Sequence, residues 1–159
     1  MRFPQLLIYS PEGRLEAELR ELAAKRRWLL RQFQQQRAIH AMFRQPRPTV
    51  LLLSLDPYQP APETFTLLHA NQNALTGWPS LVVLTQKVPE DLLAMWVAAL
   101  LDLGASYVIM PPLQRPVLEE LVSMMMAARW PEVTTDVASA ANPLSEPLFE
   151  LVSDESGKL

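Results

Sequence analysis

Residues 27–55 read RWLLRQFQQQRAIHAMFRQPRPTVLLLSL, and the fold turns on how this stretch is divided. Its close is plain. Gln45-Pro46-Arg47-Pro48 breaks any helix before it. Val50-Leu51-Leu52-Leu53 then runs apolar without alternation, the mark of a strand buried on both faces of a parallel sheet. Its opening is ambiguous. Trp28-Leu29-Leu30-Arg31-Gln32-Phe33 either prolongs a preceding helix, giving one long basic helix through Phe43, or forms a short strand. In the second case Gln35–Arg44 is a helix with Ala38, Ile39, Met42 and Phe43 on its apolar face. No glycine or proline marks the junction, so local signals leave both divisions open.

Working outward, Phe3–Tyr9 (FPQLLIY) is a short apolar run stopped by Ser10-Pro11 and reads as a buried strand. Leu15, Leu19, Leu22 and Ala23 then recur at helical spacing. Ser10 is placed as N-cap and Pro11 at the first helical position of a helix ending near Arg26. On the other side, a proline-dense loop from Asp56 to Pro62 precedes a helix carrying Phe65 and Leu68, closed by Gly77-Trp78-Pro79. Leu81–Leu84 is a further apolar strand. Pro89 opens a helix to Leu103, with Gly104 just past its end. Tyr107-Val108-Ile109 is a last strand, and Pro116 to about Arg129 the last helix. Apolar strands alternating with helices predict an α/β domain on a central parallel sheet. The expected form is a flavodoxin-like doubly wound sheet of order 2-1-3-4-5.

Composition narrows the chemistry. The chain of 159 residues contains no cysteine, 4 glycines and 15 prolines. Disulfides, thiolate metal sites, cysteine nucleophiles and a glycine-rich phosphate loop are thereby excluded. His40 and His69, each on an expected helix, stand too far apart in sequence to suggest a histidine metal site. No cofactor or metal is expected. No apolar run approaches a membrane span, and the expected setting is the cytoplasm. The net charge of −3 hides a split: ten Lys/Arg against four Asp/Glu in residues 1–48, and four against thirteen in residues 49–159. A domain over 1–130 is expected, with 131–159 an acidic Pro/Ser/Ala-rich tail or linker, largely disordered. Within it Pro147-Leu148-Phe149-Glu150-Leu151-Val152 is apolar enough to dock as a short peptide.

The stretches PSLVVLT at 79–85 and LLDLGASYVIMPPLQRPVLEELV at 100–122 resemble the receiver domain of bacterial two-component response regulators. The likeness lies in a fourth strand ending in Thr, a leucine–glycine–alanine turn, an aromatic-bearing fifth strand, a proline and a closing helix. Residues 27–55 are similar in spacing to a receiver's second strand, second helix and third strand, which favours a strand at Trp28–Phe33. The resemblance covers roughly residues 4–129.

It implies a phosphoacceptor site built from an acidic pair, an aspartate nucleophile, a Thr/Ser and a lysine. Carboxylates would hold Mg²⁺ and lysine would neutralise developing charge. Here the acidic pair aligns with Ser10 and Pro11, the nucleophile with Ser54, and the lysine with Met110, before Pro111. Thr85 is retained, and Tyr107 stands at the switch-aromatic position. Asp56 lies beyond the strand end and lacks companion acids. Ser54 lacks a base to activate it. The expected reading is a degenerate pseudo-receiver, not an enzyme, that acts by protein–protein contact. Capping and hydrogen bonding at strand ends is the expected role of Ser10, Ser54 and Thr85. A small ligand in the vacated pocket is the alternative. An enzyme of flavodoxin-like fold is disfavoured by the missing acids.

Surfaces then carry the function. Leu92, Met95, Trp96 and Leu103 exceed what the fourth helix needs for packing if Leu93, Val97, Leu100 and Leu101 face inward. Val122, Met124 and Met126 exceed it on the fifth if Val117, Leu118, Leu121 and Met125 face inward. A surplus of this kind marks an interface, and the resemblance points to a homodimer through the fourth helix, fifth strand and fifth helix. The chain's own tail, a different signalling protein, or simply a generous core are the other readings. Lys25, Arg26, Arg27, Arg31, Arg37 and Arg44 form a basic surface that would suit an acidic partner. Nucleic acid fits it poorly, because no aromatic platform or recognition-helix pair is evident.

Overall fold

The computed structural model describes residues 3–10, 13–75 and 77–133. Elements alternate strictly: β1 (Gln5–Tyr9), α1 (Arg14–Arg26), β2 (Leu29–Phe33), α2 (Gln36–His40) and β3 (Thr49–Leu55). α3 (Pro62–Asn73), β4 (Ser80–Leu84), α4 (Glu90–Asp102), β5 (Tyr107–Ile109) and α5 (Arg115–Arg129) follow. The sheet is five-stranded and parallel, in the order β2-β1-β3-β4-β5. The Trp28–Phe33 segment is therefore a strand, with Gln5 opposite Leu29 and Tyr9 opposite Phe33.

Residue alternation divides the core into two layers. Leu6, Ile8, Val50, Leu52, Leu81 and Val83 face α1 and α5, meeting Leu15, Leu19, Leu22, Leu118 and Val122. Leu7, Tyr9, Leu51, Leu53, Val82 and Leu84 face α2, α3 and α4, meeting Ile39, Leu67, Leu68 and Leu100. Both layers are apolar, which is why β1, β3 and β4 carry no alternation of polarity. Each fully buried leucine contributes roughly 1.5–3 kcal/mol. The first layer extends to Val133, which is buried. Of the expected tail over 131–159, residues 131–133 are described, and 134–159 lie outside the described residues.

Three local expectations are corrected. Ser10 does not cap α1; that helix begins at Arg14 behind Gly13, whose φ of 71° suits glycine. Ser10 is instead buried at the end of β1, and its carbonyl accepts from Gln32 Nε2 at 3.0 Å. Pro11 lies outside the described residues. α2 is one short turn-and-a-half, Gln36–His40, rather than a helix to Arg44, and Ile39 is its buried anchor. On α5, Val122 and Met126 are fully buried and Val117 is exposed. The inward arc is therefore Leu118, Val122, Met125 and Met126. This arc packs on the sheet with α1, and on the same side Arg115 Nε and Nη1 donate to Glu18 and Glu21 of α1 at 3.2 and 3.0 Å.

Candidate functional site: the carboxyl end of the sheet

Where β1 and β3 end, the doubly wound order opens a crevice between connections that leave in opposite directions. Ser10, Ser54, Thr85 and Pro111 meet there, joined by Arg14, Leu15, Val83, Leu84 and Leu113. The cavity between them is about 20 Å³. That is space for about one water and no more. Ser54 is nearly buried, and its carbonyl accepts from Thr64 Oγ1 at 3.4 Å. The Thr85 amide continues the ladder to the Leu55 carbonyl at 2.9 Å. Ser10 Oγ is buried and has no hydrogen-bond partner among the described residues.

The described lining is thus two serines, a threonine, aliphatic side chains and one guanidinium, with no carboxylate among the described residues. Among the described residues no group of three or more His, Cys, Asp or Glu is placed to hold a metal ion. Arg14 and Leu113 are contributors that strand-end reasoning does not find. Arg14 is the first residue of α1, and Leu113 belongs to the β5–α5 connection.

Other expected pocket residues stand elsewhere. β3 runs on to Leu55, so Asp56 follows it directly, and its carboxylate is engaged in the loop. It accepts from the amides of Tyr58 and Gln59 at 2.9 and 3.2 Å and from Gln86 Nε2 at 3.2 Å. That is an Asx-type turn, the role such a residue has in a proline-dense loop. Asp56 does not line the cavity. Met110 does not line it either: its sulfur accepts from the Val88 amide at 3.3 Å, tying β5 to the β4–α4 loop. Tyr107 stands at the start of β5 with 41 % of its surface exposed.

The expected interface residues are also redistributed. Trp96 is half-buried and stacks on Phe65 of α3, ring centroids 6.1 Å apart and planes within 6°. Leu92 and Leu103 pack beside it against the core. Met95 and Leu101 are both exposed, Leu101 against expectation. Six positions apart on a helix, they point about 120° away from each other and form no common patch. On α5, Val117, Leu121, Met124 and Ala128 make an i, i+4, i+7, i+11 stripe on the side away from Arg115 and α1. Met124 of this stripe and Tyr107 of edge strand β5 line one surface together. The apolar face thus keeps Met124, loses Val122 and Met126 to the core, and gains Val117 and Tyr107.

The basic side chains do not form one patch. Lys25, Arg26 and Arg27 follow one another at the end of α1, at the amino end of the sheet. Arg37 sits in the first turn of α2, at the other end, and Arg31 is half-buried in β2 with Nη1 4.0 Å from the Met42 sulfur. Lys25, Arg37 and Arg44 are exposed. His40 and His69 are exposed. No helix among the described residues is long and apolar enough to cross a membrane.

The solved structures that this chain resembles carry the same topology. A response regulator from Thermotoga maritima superposes with a TM-score of 0.59 at 16 % identity, over 79 % of this chain and 99 % of that one. A two-component response regulator from Clostridium difficile gives 0.59 at 16 %, over 79 % and 96 %. The adenylate cyclase from Rhodopirellula baltica gives 0.61 at 12 %, over 89 % and 99 %. No family model and no curated protein match the sequence. The fold is that of response-regulator receiver domains, reached by a sequence that keeps few of their residues.

Proposed function

We infer that this domain is a pseudo-receiver, which works in signalling by protein–protein contact without passing through an aspartyl phosphate. One observation carries the reading. At the crevice where receivers of this topology place their chemistry, the chain sets Ser10, Ser54 and Arg14 around about 20 Å³ of space. Phosphoryl transfer to a carboxylate needs the carboxylate, a hard cation and oxygen ligands for it. None of the described lining residues supplies a carboxylate. The same small volume weighs against a metabolite-sensing pocket, since small-molecule sites run to roughly 300–1,000 Å³. It weighs equally against an enzyme centred on this crevice.

The contact surface favoured is the stripe Val117–Leu121–Met124 together with Tyr107 on edge strand β5, and the partner is a second copy. An open parallel edge beside an apolar helix stripe is a surface that stable proteins ordinarily cover.

Incubation with acetyl phosphate and Mg²⁺ is expected to give no phosphoprotein by intact mass; a stoichiometric adduct would end this reading. Sedimentation of the wild type and of Val117→Glu tests the surface. A dimer converted to a monomer is expected, whereas a wild-type monomer or an unaffected dimer counts against it.

A further inference from the structure

Two hollows open at the amino end of the sheet, opposite the crevice. One of about 480 Å³ lies between the α3–β4 loop, the start of β5 and the end of α5. A second, of about 360 Å³, lies between the entry to β3 and the end of α5. Trp78 and Arg129 line both, so the two adjoin as one trough. Each is within the roughly 300–1,000 Å³ of ordinary binding pockets, room for the side chains of a short peptide.

Burial, not charge, gives the trough its chemistry. Its two arginines are engaged within the domain. Arg129 Nη1 donates to the Gly77 carbonyl, and Nη1 of the buried Arg47 donates to the Phe3 carbonyl, both at 2.9 Å. The floor is fixed. The Asn71 side chain accepts from the Trp78 backbone N–H at 2.9 Å and donates to the Trp78 carbonyl at 2.7 Å. The Phe43 ring lies 4.8 Å from the Trp78 ring, centroid to centroid. Around that floor Leu75, Tyr107 and Met124 leave apolar surface in water, Leu75 over its whole side chain. Apolar surface gathered around one hollow marks a contact site.

The chain leaves the domain beside this trough. Trp130 lines the second hollow, and three residues on Val133 is buried, its amide donating to the Trp130 carbonyl at 2.9 Å. The exit is thus anchored near the amino end of the sheet. Thirteen residues, 134–146, then precede Pro147-Leu148-Phe149-Glu150-Leu151-Val152, which carries the only aromatic residue after Trp130 in the sequence. Such a tether spans at most about 45 Å and roughly 20 Å as a root-mean-square coil distance. A domain of this size has a radius of gyration of about 14 Å. A tether matched to its span gives an effective concentration of about 1 mM. A free partner at about 1 μM would need roughly a thousandfold greater affinity to compete. The tether selects the occupant.

We propose that residues 147–152 of this same chain fold back into the trough, Phe149 entering beside Trp78 and Met124 and the leucines covering Leu75 and Tyr107. The site is independent of the α5 stripe except at Met124 and Tyr107, which border both. Val117 lies outside it.

The test uses the full chain. It has no cysteine, so Ser153→Cys carries a single nitroxide spin label just past the segment. In the isotope-labelled protein the label is expected to broaden the amides of Gly77, Ser106 and Ala128 and to spare Thr85 and Leu113 at the crevice. Phe149→Ser in the segment, and Leu75→Glu at an exposed rim position that leaves packing intact, should each restore the Gly77 and Ser106 signals. Val117→Glu should leave the broadening unchanged whatever its oligomeric state, which separates this contact from the proposed dimer face.

Broadening that is absent, concentrated away from the trough, or unmoved by both Phe149→Ser and Leu75→Glu overturns the proposal. So does broadening of an isotope-labelled chain without the nitroxide when it is mixed with spin-labelled chains, which would assign the trough to the segment of a second copy.

Discussion

Phe65 on α3 and Trp96 on α4 stack with ring centroids 6.1 Å apart and planes within 6°, so the tryptophan joins two helices of one layer. This bears on how the surface of α4 is tested. Trp96→Ala removes the stack and opens a gap beside Leu92 and Leu103. The expected loss is about 2–3 kcal/mol, below the range for a fully buried tryptophan because Trp96 is half-exposed. Denaturant unfolding measures it. A loss under about 0.5 kcal/mol, the scale of ordinary surface substitutions, would return Trp96 to the surface.

Ser54→Asp restores the nucleophile that the resemblance implies, yet it is expected to restore no phosphorylation. The new carboxylate would stand beside Arg14 and the buried Ser10 in a space of about 20 Å³, with no second carboxylate among the described lining residues to help bind Mg²⁺. Intact mass after acetyl phosphate treatment should show the unmodified variant. A phosphorylated Ser54→Asp would mean that the crevice opens in solution to admit cation and phosphoryl group together.

Gly104 ends α4 with φ of 107°, and a Cβ there would meet Gln72 side-chain carbons at 3.1–3.2 Å. Gly104→Ala therefore carries both a backbone and a contact cost, expected at about 1–2 kcal/mol by equilibrium unfolding. Adding Gln72→Ala removes the Cγ and Cδ contacts but keeps the Cβ at 3.1 Å, so it should recover part of the contact cost and none of the backbone cost. Full recovery in the double variant would show that the backbone conformation costs nothing.

These positions also show how far the residues speak for themselves. β1, β3 and β4 are legible because both faces of each are buried and every position is apolar or nearly so. β2 is not, because an edge strand half-covered along its length carries Arg31 and Gln32 among leucines, and such a mixture has neither period. Its identity rests on family spacing, and the pairing of Gln5 with Leu29 bears that out. α4 and α5 were legible as helices but not in rotation. With apolar residues around most of the circumference, several arcs satisfy the sheet equally. Which arc meets the sheet is settled by tertiary packing, and the long-range partners that accompany it, Arg115 with Glu18 and Glu21 and Trp96 with Phe65, are encoded in no local pattern. In the crevice, Ser10, Ser54, Thr85 and Pro111 line the space, whereas Met110 and Asp56 do not. Arg14 and Leu113 came from connections whose path only the folded chain defines.

Tyr9 closes β1 with 5 % of its surface exposed, and burial raises its phenol above the ordinary 10.0, with the Glu63 carboxylate adding to the effect. Both causes disfavour the phenolate in the folded state. The unfolded chain releases that proton near pH 10, so above it the unfolded state binds fewer protons than the folded one. Stability from this group is fully present below about pH 10 and is lost as pH rises through the folded value. Unfolding free energies measured from about pH 8 to about pH 11 should fall more steeply for the wild type than for Tyr9→Phe, which keeps the ring and lacks the proton. Glu63→Gln should lie between them, close to the wild type, because burial is the larger cause. Parallel wild-type and Tyr9→Phe profiles would mean that the phenol reaches water as freely in the folded chain as in the unfolded one.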